Sequence, residues 1–420
     1  MRILAVNKYL YRRGGAESYL LDLTDLQRRR GHVVELFGMR HPEDSASHPL
    51  SDTFPSYVGL DPAPDGLRGL AAAGRMVWSV ASARGMARAL ARVQPDVVHL
   101  HNIYHQLSPS ILGPVRRAGV PCVMTLHDYK LACPSYQMLD HGELCDACVT
   151  GGTWHAAQRR CKGGSLAASS LLALESGVHR LTGAYRGVDL FLSPSAFLAG
   201  VMRRAGVFPD RLRVVPHFAE VTPVRPDPEQ RSGFLFAGRL SREKGVDVLI
   251  DAMGALPETS RLSVAGDGPE RAALQRQAAV VAPGRVAFLG RLSKPALQDL
   301  LQASLASILP ARWNENQPMT VLEALGAGVP MVCTDLGGLP ELVSHGVDGL
   351  VVPPDDPVAL AAALVALSTD PARAARMGAA GRAKVERELS PQAHLDRLDA
   401  AYAEAAERRG RRLSLGSVPA

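Results

Sequence analysis

Apolar residues in this chain return in two rhythms: short uninterrupted runs bounded by glycine, proline or polar residues, and longer stretches where they recur every third or fourth position. The first rhythm predicts buried strands and the second predicts helices packed over them. Residues 2–6 (RILAV) open as a strand, a loop at 8–15 ends in Gly14 and Gly15, and Tyr19, Leu20, Leu23 and Leu26 mark the inner face of a helix that Gly31 stops. HVVELFG supplies the next strand and completes a strand–helix–strand unit with a right-handed crossover. Residues 42–66, rich in Pro, Ser and Asp, read as a surface loop, and 67–93 as an arginine-bearing helical region that either packs on the sheet or touches a membrane surface.

DVVHLH, PCVMTLHD, DLFLSPS and RLRVVP extend the series, and each run ends in polar residues or proline. Such a series makes a doubly wound parallel sheet, whose ligands sit beyond the strand ends. Residues there are His101, Asn102, His127, Asp128, Ser193 and Ser195. His99 and His101 alternate onto one strand face; with no carboxylate beside them, a packed, hydrogen-bonded role is preferred for His99 over a metal pair. Residues 221–231, proline-rich and charged, read as a linker. GFLFAGR, RLSVAGDG, RVAFLG, LASILP and VPMVCTD then repeat the strand rhythm, with helices starting near Gly245, Pro269, Lys294 and Pro318. Beyond Pro354 come three helical segments, the last at 392–406 and long enough to cross back. The expected fold is α/β, two doubly wound Rossmann-like parallel-sheet domains facing a cleft. Its expected parts are 1–219 with an insertion at 133–161 and a returning helix at 390–408, 220–389, and a basic tail at 409–420.

Length supports this division, because 420 residues exceed what one core normally holds. Charge adds an asymmetry, since the first 220 residues carry 25 Lys and Arg against 18 Asp and Glu. That bias fits an anionic acceptor or membrane surface, and equally a solvated face. The N-terminus enters a strand at once, and no apolar run approaches the roughly 18 residues that span a bilayer. A cytoplasmic protein is expected, with peripheral contact to the cytoplasmic membrane face. Aromatic residues make up 5% and the arginines are spread among helices, which argues against nucleic acid as a partner.

Cysteine usage adds a candidate metal site. Cys133, Cys145, Cys148 and Cys161 form C-x11-C-x2-C-x12-C in a polar insertion, a pattern suited to four thiolates around a structural zinc. Two disulfides in an exported chain, or reduced thiols, are the other readings. His141 and His155 lie nearby but are surplus to a tetrahedral set, and Cys122 and Cys333 fall on strand patterns as core residues.

The chemistry concentrates in 311–341, ARWNENQPMTVLEALGAGVPMVCTDLGGLPE. A helix over 317–325 leaves Glu315 just ahead of it and Glu323 within it, so the two acids serve different points on a ligand. The helix start offers free amides to a phosphate or a hydroxyl. Upstream, GRLSREKG places Arg239 and Lys244 directly after a strand, where two cations clamp a diphosphate. The loop at 8–15 lacks the GxGxxG pattern, so a nicotinamide dinucleotide is not indicated.

GGAE, TLHD, GRLSREKG, GDGP and the E-x7-E spacing together resemble the retaining, GT-B-type glycosyltransferases of family 4 over essentially the whole chain. The resemblance implies sugar transfer from a nucleotide-diphosphate donor to a glycan or lipid-linked acceptor in surface polysaccharide assembly, with no cofactor needed for catalysis. It implies that Arg239 and Lys244 hold the donor diphosphate in place of a divalent metal, Glu323 the ribose hydroxyls, and Glu315 the region of the transferred sugar. Asn316, Gln317, Pro318 and Met319 match the loop whose amides contact sugar and phosphate. Gly14, Gly15 and Gly268 match donor-side glycines, and His127 a histidine at the donor sugar. The family is described as using front-face transfer, in which the leaving phosphate helps to deprotonate the acceptor, so Glu315 is not read as a nucleophile. Two departures stand out: Glu-Asn-Gln-Pro replaces an EGFG-like run, and Pro216, His217 and Phe218 stand where Pro-Asn-Gly is usual. Competing readings are a noncatalytic scaffold of the same fold and a nucleotide-sugar hydrolase or phosphorylase.

Overall fold

The computed structural model describes residues 1–44, 47–59, 66–223 and 227–413. Parts of the expected loop at 42–66, the middle of the expected linker and the chain beyond 413 lie outside them. Strands β1 (Arg2–Val6), β2 (Val33–Phe37), β3 (Val97–Leu100), β4 (Cys122–Thr125), β7 (Leu190–Ser193) and β8 (Leu212–Val214) form one parallel sheet in the order β2-β1-β3-β4-β7-β8. Between β4 and β7, a small antiparallel hairpin of β5 (Leu139–Asp140) and β6 (Glu143–Leu144) stands apart. Strands β9 (Phe234–Ala237), β10 (Leu262–Ala265), β11 (Val286–Gly290), β12 (Ala306–Leu309), β13 (Met331–Thr334) and β14 (Gly349–Val352) make a second parallel sheet, ordered β11-β10-β9-β12-β13-β14.

The inner apolar runs became strands because both faces of each sheet are covered there, while the edge strands β8 and β11 stay partly exposed. β3, β4, β7, β12 and β13 are buried at every residue, as strands covered on both faces must be. β14 was not anticipated: its GLVV run is only four residues long, between Gly349 and Pro353, and pairs with β13 at the sheet edge. The helical stretch at 67–93 is two helices, Gly66–Val77 and Val80–Val93. The break falls at Ser79, whose hydroxyl accepts from the Ser82 amide at 3.2 Å and so starts the second helix. That helix buries Met86, Ala89, Leu90 and Val93 and leaves Arg84 and Arg88 exposed, so it packs on the sheet with its charges in water.

The order of strands reverses between β1 and β3 in the first sheet and between β9 and β12 in the second. At such a reversal the flanking loops diverge and leave a crevice at the carboxyl ends of the strands. Among the described residues no single helix is long and apolar enough to cross a membrane. The bent pair Pro357–Thr369 and Pro371–Glu407 passes on length and composition, but it turns by 101° and its Leu360, Leu364 and Leu367 belong to the second core.

The last helix, Pro391–Glu407, packs into the first sheet's core through Leu395, Leu398, Ala401, Tyr402 and Ala405. Each fully buried leucine there contributes about 2 kcal/mol. Polar contacts fix its register. Tyr402 Oη lies 2.8 Å from His99 Nδ1 and accepts from Gln27 Nε2 at 2.9 Å, and His394 Nε2 meets Tyr19 Oη at 2.8 Å. The other His99 nitrogen meets Thr125 Oγ1 at 2.7 Å, so His99 is a satisfied core histidine. Arg409, assigned to the tail from sequence, is tied down by Asp189 at 2.7 Å.

Removing the Tyr402 hydroxyl with Tyr402→Phe unpairs two buried groups and is expected to cost about 2–3 kcal/mol. Urea unfolding should show it as a lower midpoint at unchanged slope; an unchanged midpoint would remove this network from the account. Burial also pushes the His99 and His394 imidazoles down, to about 3 and about 4. Between those values and the unfolded value near 6.5 the unfolded chain binds more protons, so stability is full above about 6.5 and falls on acidification. The slope is about 1.4 kcal/mol per pH unit for each such histidine. Calorimetry from neutral pH downward should find a steadily falling Tm, and a flat profile would contradict the buried neutral cluster.

Candidate functional site

The crevice of the second sheet collects the charged motifs. Gly238 and Arg239 follow β9, and the loop to Lys244 returns at Gly245, where φ is +68° and an added Cβ would stand 1.9 Å from the Pro310 carbonyl oxygen after β12. Glycine is therefore required for these two loops to touch. Their contact brings Lys244 Nζ to 2.5 Å from Glu315 Oε1 and 5.3 Å from the centre of the Trp313 ring. Glu315 and Lys244 thus form an ion pair inside the site, where sequence reasoning had assigned them to separate points on a ligand. Trp313, a wall for the ammonium group, carried no signal in the sequence beyond its type. Arg239 is exposed and has no ion pair or side-chain hydrogen bond among the described residues.

Gly268 presses under the same loop, with an added Cβ only 2.2 Å from the Leu240 carbonyl oxygen. The helix after the Glu315 loop runs Met319–Gly326, two residues later than the 317 start expected from sequence, because Pro318 takes the position ahead of it. No side chain caps it, so its first amides stay available. Glu323, within it, has its carboxyl pushed up by burial, with Lys294 opposing and Asp22 reinforcing the shift. Lys294 and Asp22 pair across the cleft at 3.2 Å. The Gly14–Gly15 loop of the first sheet faces the same helix start, and an added Cβ on Gly15 would lie 3.9 Å from Met319 Cγ.

The loop between Trp313 and Met319 is polar yet buried: Glu315, Asn316 and Gln317 are 4%, 9% and 8% exposed. Its partners come largely from the other sheet's half of the molecule. Tyr129 Oη donates to the Asn314 carbonyl at 2.9 Å, Ser195 Oγ donates to Asn316 Oδ1 at 2.7 Å, and the His217 amide donates to Gln317 Oε1 at 2.5 Å. Glu341 adds another bridge, accepting from the Ala196 and Phe197 amides at 2.7 and 2.6 Å. The two departures from the family pattern, at 216–218 and 315–318, therefore touch each other. Tyr129, Ser195 and Glu341 were missed as bridging residues, although Ser195 was legible as a strand-end residue.

His127 stands at the same crevice, half-buried, its Nε2 3.0 Å from His101 Nδ1 and its ring 5.4 Å from that of His217. Burial pushes its imidazole down to about 3, so it is neutral at ordinary pH. A neutral ring can donate or accept one hydrogen bond without adding charge. His101 Nε2 and His217 Nδ1 are buried without a partner among the described residues.

The insertion behaves differently from the tetrahedral site expected of it. All six cysteines are free thiols, and among the described residues no group of three His, Cys, Asp or Glu is arranged as a ready metal-holding set. Cys133, Cys145, Cys148 and Cys161 nevertheless line one cavity of about 10 Å³ together with Arg159 and Asp146. His141 and His155 do not line it, and Cys122 and Cys333 are core residues of β4 and β13.

Comparison with known proteins follows this division of the molecule. The family described as Glycosyltransferase Family 4 matches residues 13–222, and Glycosyl transferases group 1 matches 231–370. A D-inositol 3-phosphate glycosyltransferase from Xylanimonas cellulosilytica is 28% identical over 94% of this chain and 93% of its own length. Among solved structures, sucrose-phosphate synthase from Thermosynechococcus elongatus superposes with a TM-score of 0.70 at 19% identity, covering 96% of this chain and 98% of that one. Anabaena HepE in complex with UDP gives 0.65 at 18% identity, over 95% and 99%. Two parallel six-stranded sheets with flanking helices are the GT-B architecture of these neighbours, and this chain belongs to the family 4 glycosyltransferases.

Proposed function

We propose that this enzyme moves a sugar, with retention, from a nucleotide-diphosphate donor to a glycan or glycolipid acceptor in surface polysaccharide assembly. The observation that carries the reading is the convergence of Arg239, Lys244 and an uncapped helix start at the β9–β12 crevice. When the bond from sugar C1 to the phosphate oxygen breaks, negative charge builds on the leaving diphosphate. Fixed cations and free amides lower the barrier most when they are aimed at that charge in advance. The acceptor hydroxyl oxygen forms the new bond to C1, and its proton passes to the leaving phosphate oxygen.

In this reading Glu315 holds Lys244 and faces the transferred sugar, Glu323 takes the ribose hydroxyls, and Asn316 to Met319 offer amides to sugar and phosphate. Gly14, Gly15 and Gly268 let backbone approach the donor, and neutral His127 bonds a sugar hydroxyl. Residues 220–389 serve the donor, while 1–219 with the returning helix serve the acceptor. The basic excess of the first 220 residues suits an anionic or membrane-borne acceptor on the cytoplasmic side. UDP in the HepE complex makes uracil the first base to test.

A thermal-shift series with UDP, GDP, ADP and their sugars should single out one base, because a ligand stabilises the state that binds it. Lys244→Ala is expected to abolish that shift and to lower kcat/KM on the order of 100-fold. Glu323→Gln should act mainly on donor KM. Near-normal turnover in Glu315→Ala would take Glu315 out of the catalytic set, and fast donor hydrolysis without any acceptor would replace transfer with hydrolysis.

A further inference from the structure

The insertion between β4 and β7 cannot hold its shape by burial alone. Residues 134–165 contain the two-residue strands β5 and β6 and two helices, Ala147–Gly151 and His155–Gln158, none longer than five residues. The small core beneath them consists of Cys148, Ala156, Ala157 and Ala173, with Cys161 against it, while Met138 and Val149 reach into the first sheet's core. So little apolar surface falls well short of the ordering cost of some thirty residues, and polypeptides in that position are stapled by disulfides or metal.

Both ends of the insertion are tied to the first half: at the far end the Lys162 amide donates to Ser169 Oγ at 2.9 Å, and at the near end Arg180 donates to the Leu131 and Ala132 carbonyls at 3.0 Å. Lys130, just ahead of it, is buried and reaches Glu175 Oε2 at 2.8 Å and the Pro134 carbonyl at 3.0 Å. The hairpin does something specific: the turn between β5 and β6 at Gly142 lies against Arg242 of the second half, where an added Cβ would be 3.4 Å from the guanidinium carbon. Arg242 sits in the 239–245 loop that carries Arg239 and Lys244. The hairpin therefore spans the cleft.

Four thiols that face one atom-sized cavity are the remaining resource. Disulfides would pair them two and two, whereas a single shared cavity suits one ion with four equal ligands. Four thiolates around a divalent ion leave two negative charges; Arg180 lies close enough to Cys133 and Cys148 to offset one, and Arg159, which lines the cavity, shares its charge with Asp140. Asp146 lines the cavity as well, and Asp140 lies near Cys161 but is paired with Arg159. Since no three thiols are yet grouped at coordinating positions, binding requires the side chains to turn inward around the cavity they already line.

We propose that Cys133, Cys145, Cys148 and Cys161 bind one structural Zn²⁺ ion that staples the insertion and keeps its hairpin turn seated against Arg242. Four thiolates leave no open position, so the ion takes no part in the reaction.

The test uses full-length protein purified without chelator or polyhistidine tag. Metal analysis should find one zinc per chain, released when a mercurial titrates the thiols, and Co²⁺ exchange should give the intense absorption of tetrahedral thiolate ligation. Chains without zinc that show six reactive thiols on denaturation, or two disulfides by mass, overturn the proposal, and so does iron in its place. Cys145→Ser and Cys148→Ser should each lose most of the zinc while far-UV dichroism is kept, because neither side chain belongs to the two main cores. Proteolysis reads the stapling separately: zinc-loaded protein should resist cleavage within 134–165 and metal-stripped protein should be cut there. Equal cutting of both forms refutes the staple. None of these readouts depends on donor or acceptor, so failure here leaves the proposed transfer reaction untouched, and the reverse holds too.

Discussion

A buried loop with no apolar side chain of its own has to find all its partners, and the segment from Glu315 to Gln317 governs much of this molecule for that reason. Unpaired, each of its polar groups would cost about 1–3 kcal/mol in such surroundings. Lys244 satisfies Glu315 from the same sheet, while Ser195 and the His217 amide satisfy Asn316 and Gln317 from the other one. The loop can be complete only when the halves are in contact. Cleft geometry and loop hydrogen bonding are one condition.

The strands and helices of both sheets were legible because parallel strands buried on two faces leave continuous apolar runs in the sequence. β14 escaped, since a four-residue run between a glycine and a proline looks like any loop with a few valines. The break at Ser79 escaped for a related reason: helical spacing carries across a capping serine, and only the hydroxyl's bond to Ser82 marks a new start. In the site, charged residues announced themselves by type and by their place after a strand. Contacts across the cleft did not, because residues such as Tyr129 and Asn314, 185 positions apart, share no local pattern.

The histidines show the limit of residue type as a guide. His99 and His101 suggested a metal or a packed pair from their alternation, and hydrogen bonds to Tyr402 and Thr125 show His99 as a core group. The ring of His101 stacks on His99 at 4.3 Å, and His127 and His217 continue the row toward the cleft. One row of neutral rings therefore runs from the C-terminal helix to the crevice, and the sequence separation between its members concealed it.

The bond between the His217 amide and Gln317 has a consequence for how this chain can vary. The donor is main chain, so the side chain at 217 is not held by this bond, but the turn at 216–218 must deliver its amide to one fixed point inside the cleft. Ordinary surface loops absorb an added residue at little cost. This turn and the loop opposite are instead cut to matching length, and an insertion in either one is tolerated only with a compensating change in the other. The two departures form one unit of structure, and a change in one is felt at the other.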